Sequence, residues 1–508
     1  MTADPSPGFA RQLAVSAAFM VALRFAFRAI GFISTLILVR LLGPAEFGVV
    51  GLAMVTFAIL ESMSDLSFEK ALIRMPDPQQ AHFNTAWTLN ILRGLLMALI
   101  LVAAGPLLAH FVDEPNVEPI CYSIAIIAIG QSFQNIGMVN YQRDFRFDQI
   151  FKFQLVAKLV GFVVTVTAAF LLQNFWALVI GTAAAKLVLV PLSYAMHPYR
   201  PKLGLTVWKD MFNFSKWLVV SNIQVMVENY SIVLVMGRIG GPTGIGLFQV
   251  ANEVGTLPAS EVAAPIRQPL YVGYTRHLND MRAFRHQYIS GVGMTLTLLI
   301  PACMGLWLMA SPITTLFLGA KWTDAEPILE ICAILGLFEA ISHCSNDVFI
   351  ALHRQGRFAK LYTVAVIIRL AALIGGGYAG GIEGAVIGLL ASAVFNALFL
   401  NFHVARMIGL TAGDFARVAW RSTVAAAIMS ACVLWLNAAW SVPADTVSQF
   451  VRMFTLSGVG AVIHISALVI LWRVTGSPPG SEAQLVKAAR KALEKFFNRT
   501  ADAAPEKS

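Results

Sequence analysis

Two arginines, Arg24 and Arg28, stand four residues apart inside an apolar stretch near the start of the chain. That spacing stacks them on one helix face, about one turn apart. A guanidinium is a planar, always-charged donor matched to phosphate oxygens, so the chemistry such a pair points to is anion binding. Two like charges held this way repel unless water or an anion lies between them. In hydrocarbon each also costs about 2.5–3.5 kcal/mol on insertion scales, so the pair is expected to face a wet cavity. Arg267 has a different setting, among Pro258, Pro265 and Pro269. Interior prolines free carbonyls and break helices, and a cation at a broken membrane helix is a frequent substrate-site arrangement. Capping of carbonyls released by Pro265 or Pro269 is an equal alternative.

Glu61 and Asp65 also share a helix face. They could bind a proton or Na⁺, but pairing with Arg24 or Arg28 of the neighbouring helix is the better reading, since buried charges habitually pair. Other cations fall inside or near apolar stretches: Arg11, Arg93, Lys158, Lys186, Lys216, Arg369 and Arg452. Snorkelling to the surface accounts for Arg11 and Arg452 and in part for Lys158 and Lys216. Further acids are Glu228, Glu253, Glu261, Glu339 and Asp347. No G-x-x-x-x-G-K-[ST] phosphate loop occurs, and the nine histidines lack an H-E-x-x-H pattern. The five cysteines are scattered without C-x-x-C pairs and read as small buried apolar residues. No cofactor, metal or catalytic residue is expected.

The frame around these residues is a membrane. Of 508 residues, 57% are hydrophobic and only 13% charged, against roughly 25% charged in soluble chains. That excludes an ordinary soluble enzyme, a disordered chain and a disulfide-built secreted domain. Spans of about 20 apolar residues cross a ~30 Å hydrocarbon core. The chain offers fourteen candidate spans, the first near 13–38 and the last near 450–472, joined by short loops. Those that matter below lie near 47–68, 119–140, 152–172, 175–196 and 244–272. An apolar run interrupted by Arg24 and Arg28 does not fit a cleavable signal. The net charge of +9 reports basic loops rather than nucleic acid binding. Even-numbered loops hold seventeen Lys and Arg against three in odd-numbered ones. Positive charge is retained on the cytoplasmic side, which predicts cytoplasmic termini.

An internal repeat organises the spans. Arg40, Gly43, Pro44 and Gly48 after the first span match Arg238, Gly241, Pro242 and Gly246 after the seventh, without gaps. Arg143, Arg146 and Phe147 are echoed by Arg354, Arg357 and Phe358, and Ala177–Gly181 by Ala385–Gly388. The offsets are 198, 211 and about 208 residues, each pair at the same topological position. Six spans per copy make the repeat parallel, with its axis along the membrane normal and a site between halves that can open alternately. The expected fold is therefore an all-α polytopic membrane protein: an N-lobe over 1–203, a C-lobe over 204–410, two extra helices over 411–475 and a tail over 476–508. The Gly-Pro elements themselves read as tight turns. In the tail, Ser481 and Gln484 fit a capping box, followed by a basic amphipathic helix suited to an anionic membrane surface.

The stretch from Val39 to Gly48, the segment Asp65–Arg74 and the Arg143–Phe147 loop resemble the Wzx-type O-antigen and exopolysaccharide flippases of the MOP superfamily, and within it the colanic acid and succinoglycan exporter branch. The resemblance implies carriage of an undecaprenyl-pyrophosphate-linked oligosaccharide across the bacterial inner membrane, with both termini cytoplasmic. It implies cations on helices one and eight facing the cavity, where Arg24, Arg28 and Arg267 hold comparable places. Its partners would be the lipid-linked glycan, inner-membrane lipids and the polymerase and export machinery, with H⁺ or Na⁺ as coupling ion. A drug or cation antiporter of the same fold is the alternative, but it predicts an acid-dominated cavity. A glycan polymerase or ligase fits poorly, because the outer loops are short.

Overall fold

The computed structural model describes residues 7–64, 72–73, 75, 78–440, 445–478 and 480–484, with side chains at all of these except 7–18, 62–64, 209–229, 264–265, 267–269 and 272. Hydrocarbon offers no hydrogen-bond partner, so a chain this apolar must satisfy its backbone within each segment. Accordingly it is helical, with no strand among the described residues. In order the helices are α1 (Pro7–Leu41), α2 (Pro44–Ser64), α3 (Gln80–Val112), α4 (Val117–Ser132), α5 (Phe147–Leu172), α6 (Trp176–Leu187), α7 (Leu189–Met196), α8 (Trp208–Gly255), α9 (Ala264–Arg276), α10 (Met281–Leu308), α11 (Glu326–Ala351), α12 (Gln355–Ile408), α13 (Ala412–Ala439) and α14 (Thr446–Val474).

Among the described residues eleven helices are long and apolar enough to cross a membrane, or twelve with one bent pair taken as a span. That count does not reach the expected fourteen, because two of the helices are rods broken by glycine. The 54-residue α12 leaves helical geometry at Gly380 and Gly381, the latter with φ 62°. Its arms fold back so closely that a Cβ on Gly376 would overlap the Gly384 carbonyl, and one on Gly388 that of Ala372. The 48-residue α8 breaks at Gly241, with φ 59°, ahead of Pro242. The expected eighth span is interrupted too: α8 ends at Gly255, a π-helical turn runs over Ala259–Ala263, and α9 follows.

The chain divides into two compact units. The first comprises Met1–Gln249 with Leu318–Trp322, the second Val250–Phe317 with Thr323–Ser508. In the first, the two copies of the Gly-Pro element cross each other reciprocally. A side chain at Gly48 would overlap the Pro242 carbonyl, and one at Gly246 would overlap the Pro44 carbonyl. The elements are thus turns, as read from the sequence, and also a backbone-to-backbone contact that only glycine permits. Trp322 is fully buried beside them. Its indole N–H donates to the Val39 carbonyl at 2.8 Å, its ring meets Phe47 edge-on at 5.3 Å, and Lys321 Nζ donates to the Leu41 carbonyl at 3.1 Å.

The second unit packs around Tyr274, Phe284, Tyr288, Val348 and Phe349. The Tyr288 hydroxyl is satisfied by donation to Asn401 Oδ1 at 2.7 Å. After α14 the chain packs back against α13. Glu482 meets Arg421 of α13 at 2.7 Å, with the two residues 3% and 7% exposed. Ser481 and Gln484 do not form the expected capping box. The Ser481 hydroxyl donates to Glu482, and the Gln484 side chain donates to Ser290 at 3.1 Å. The amphipathic stretch expected after Gln484 lies outside the described residues.

Two predictions follow from this packing. Gly48→Ala and Gly246→Ala, each alone, will destabilise by about 1–3 kcal/mol, the usual cost of overpacking. Gly375→Ala, with nothing within 4 Å of its Cβ, will be neutral or slightly stabilising; thermal unfolding in detergent reads both. Glu482→Ala will cost about 3–5 kcal/mol by leaving Arg421 buried and unpaired, whereas Arg421→Met with Glu482→Leu will be near neutral. Burial pushes the Glu482 carboxyl up, but its bonds with Arg421, the backbone and Ser481 outweigh that and hold it below the usual range. Its contribution to stability is therefore present above the ordinary Glu value of about 4.3 and is lost as pH falls through the lower folded one.

Candidate functional site

The first unit gathers cations along α1. Arg24 is exposed and Arg28 half-buried. Arg28 lies thirteen residues before the end of α1 at Leu41, about 20 Å at 1.5 Å per residue. Lys158 of α5 joins them. Snorkelling is not what it does: its ammonium lies over the Phe27 ring, 5.8 Å from the centroid, and 3.9 Å from where a Cβ on Gly31 would stand. Phe27 and Gly31 bracket Arg28, so a third cation is turned onto the part of α1 that carries the arginines. The cluster can bind an anion of more than one charge, because each cation reaches the same helix from a fixed backbone.

A second feature went unread in the sequence. The span expected over 119–140 is not continuous: α4 stops at Ser132, and a short segment Ile136–Arg143 leaves at 66°. Irregular backbone inside a membrane persists only where protein or a wet cavity satisfies it. Here both hold. The Phe133 carbonyl accepts from the Tyr194 hydroxyl at 3.0 Å, the Asn135 N–H donates to Ser193 Oγ at 3.0 Å, and Asn135 Oδ1 accepts from the Gly137 N–H at 2.9 Å. The Asn135 amide in turn donates to the Tyr199 carbonyl at 2.7 Å. Beside the break lies a cavity of about 80 Å³ lined by Glu61, Asn90, Arg93, Gln131, Gln134 and Asn135 among others. Lys186 of α6 reaches its wall, donating to Gln131 Oε1 at 3.3 Å with its ammonium 4.8 Å from the Phe57 ring centre. The polar run Gln131-Ser132-Phe133-Gln134-Asn135 inside an apolar span was the available signal.

The remaining sequence candidates separate. Glu61 lines the cavity together with Arg93. Asp65 lies outside the described residues. Arg267 falls in α9, directly after the π-helical turn, and its side chain lies outside the described ones. In the second unit Arg369 and Glu339, each a candidate on its own, form an ion pair at 3.1 Å. Four of the five cysteines are buried and all are free, in keeping with small apolar packing. No group of three or more His, Cys, Asp or Glu side chains among the described residues could hold a metal ion.

Comparison with known proteins gives these features a context. The lipopolysaccharide biosynthesis protein WzxC of Escherichia coli (strain K12) is 22% identical over 385 residues, covering 73% of this chain and 77% of that one. The succinoglycan biosynthesis transport protein ExoT of Rhizobium meliloti (strain 1021) is 23% identical over 451 residues, 87% of this chain and 89% of that one. Among solved structures, the lipid II flippase MurJ in an inward closed conformation superposes with a TM-score of 0.68 at 14% identity, over 90% of this chain and 99% of that one. At that identity the likeness establishes the fold alone, that of a multi-pass helical membrane protein. The model of the polysaccharide biosynthesis protein family matches residues 37–327, more than half of the chain, and the chain belongs to that family.

Proposed function

We propose that the protein is a flippase that moves an undecaprenyl-pyrophosphate-linked oligosaccharide across the bacterial inner membrane, in an alternating-access cycle, for surface or exopolysaccharide synthesis. The observation that carries this reading is the gathering of Arg24 and Arg28 on one apolar helix with Lys158 reaching it from α5, in a chain of the polysaccharide biosynthesis family. Relatives named for polysaccharide transport support it. The physics is direct. A pyrophosphate-sugar head cannot enter hydrocarbon unaided, whereas its prenyl tail need never leave the lipid. Cations fixed on a membrane helix replace the water that the pyrophosphate gives up, and a helix exposed along its length leaves the tail outside. Attraction has to stay moderate, or the head would not be released.

Transport of this kind makes and breaks no covalent bond, so the protein is read as a transporter and not an enzyme. The basic loops orient both termini to the cytoplasm. Arg267, next to the π-helical break, is assigned to the substrate path together with Arg24 and Arg28. The N-lobe of residues 1–203 and C-lobe of residues 204–410 are the two halves of the cycle, with 411–475 as added helices. Handover of the glycan would be to polymerase and export machinery, and a proton or Na⁺ gradient is the candidate drive through Glu61 and Asp65. An acid-dominated cavity would favour the cation-antiporter alternative; the cationic face of α1 argues against it.

The test is leaflet-resolved transport in proteoliposomes, with a fluorescent undecaprenyl-pyrophosphate oligosaccharide and an impermeant sugar-modifying enzyme. Arg24→Ala with Arg28→Ala will abolish head-group movement while insertion and thermal stability persist. Each arginine alone will cost roughly 10- to 100-fold, the range of one hydrogen bond to a charged group. Lys158→Gln will slow transport by a smaller factor. Undiminished transport in the double variant would remove the cationic helix face from the mechanism.

A further inference from the structure

Lys186 stands at the centre of a membrane span. Together α6 and α7 form the 21-residue span Trp176–Met196, and Lys186 is its middle residue, with ten on either side. Ten residues at 1.5 Å make about 15 Å to each end, well beyond the reach of a lysine side chain. Its ammonium touches the Gln131 carboxamide oxygen at 3.3 Å and faces the Phe57 ring at 4.8 Å. Both partners are neutral. A ring face and one amide oxygen soften the charge but do not cancel it, and an ammonium at mid-bilayer costs about 2.5–3.5 kcal/mol.

Gln131 and Phe57 are also walls of the cavity at the break in the fourth span. With its oxygen engaged by Lys186, Gln131 has its amide N–H groups to offer. The carboxamides of Asn90 and Gln134 line the same space, and each can turn donors inward. Glu61 and Arg93 contribute one charge of each sign to the lining, and Lys186 adds a positive charge at its wall. The volume, about 80 Å³, is far below the roughly 300–1,000 Å³ of drug-sized ligand pockets. It has room for a few water-sized groups, not for a sugar pyrophosphate.

We infer that an anion site lies at the edge of this cavity, where Lys186, reaching its wall from α6, and the amide of Gln131 hold one small monovalent anion of chloride or carboxylate size. The site is distinct from the cationic face of α1 and does not depend on the flippase reading. Occupancy would neutralise the mid-span ammonium and satisfy the amides at the break, so an anion would tie α6 to α4 where α4 is interrupted. The anion has two sources, chloride from solution or the carboxylate of an acidic sugar on the transported glycan.

The experiment is ³⁵Cl NMR line broadening by the purified full-length protein in detergent, titrated with chloride at constant ionic strength made up with a bulky sulfonate that carries no carboxylate. The native protein will give saturable excess linewidth. Lys186→Met will abolish it while the protein remains monodisperse, since the change removes a buried charge rather than a packing group. Lys186→Arg will restore it, and Gln131→Ala will weaken the chloride dissociation constant about tenfold, the size of one hydrogen bond to a charged group. Displacement by glucuronate but not glucose would assign the site to an acidic sugar; displacement by neither, with chloride binding intact, would assign it to a resident chloride. Arg24→Ala with Arg28→Ala will leave the Lys186-dependent part of the broadening unchanged, so failure of the flippase reading would not touch this result. Equal broadening in native and Lys186→Met proteins, or none in the native protein, would overturn the inference.

Discussion

Hydrocarbon can neither donate nor accept a hydrogen bond, and that single deficiency shapes this molecule at each level. Backbone groups must be satisfied inside their own segment, which makes the chain helical. Where a helix stops inside the membrane, other groups must take over its bonds, as Tyr194, Ser193 and Asn135 do at the break after Ser132. Charged side chains face the same demand with a larger penalty. Each intramembrane cation whose side chain is described in detail has met it differently: Arg369 by pairing with Glu339, Lys158 by lying over Phe27, Lys186 by an amide oxygen and a ring. The first solution is closed and structural. The other two leave a positive charge with neutral company, and they occur in the unit that carries Arg24 and Arg28.

Glycine sets how these helices meet. Lipid tails are as apolar as leucine, so helix association in a membrane rests on close van der Waals approach, and small residues allow it. The reciprocal fit of Gly48 on Pro242 and of Gly246 on Pro44 is the clearest case. It makes the internal repeat a structural object, since equivalent residues of the two copies perform the same contact on each other. Trp322 fills the space next to it and binds the carbonyl of Val39, one residue before the repeated Arg40. A segment bordered on both sides by the second unit thereby belongs to the first.

Much of this was legible in the amino-acid sequence, and the parts that were not share a physical cause. The membrane class follows from composition, the repeat from Arg40, Gly43, Pro44 and Gly48 against their later copies, and the interruption of span eight from its prolines. Proline and glycine act on the backbone at their own position, so their effect can be read locally. The contact between the two repeat copies joins residues nearly two hundred positions apart, and nothing in either copy announces it. The break after Ser132 has neither proline nor positive φ to mark it. It rests on Tyr194 and Ser193 of α7 and on Asn135 at the break itself, a tertiary effect that span-by-span hydropathy averages away.

The same division explains the cations. Sequence spacing could identify Arg24 and Arg28 as a pair because i and i+4 share a face on any helix. Lys158 and Lys186 have no such local partner, and their meaning depends on Phe27 and Gly31 in one case and on Phe57 and Gln131 in the other. Snorkelling was the natural reading for Lys158 because a long side chain near a surface usually takes that route. Here the ammonium lies over the Phe27 ring instead, and a residue that would have served solubility adds charge beside Arg28. A cation turned inward against a ring costs more than one turned outward to water. A fold that keeps this arrangement without an acid at the ring face holds its positive charge available to a ligand, and that ties the packing of α1 on α5 to the handling of an anionic head group.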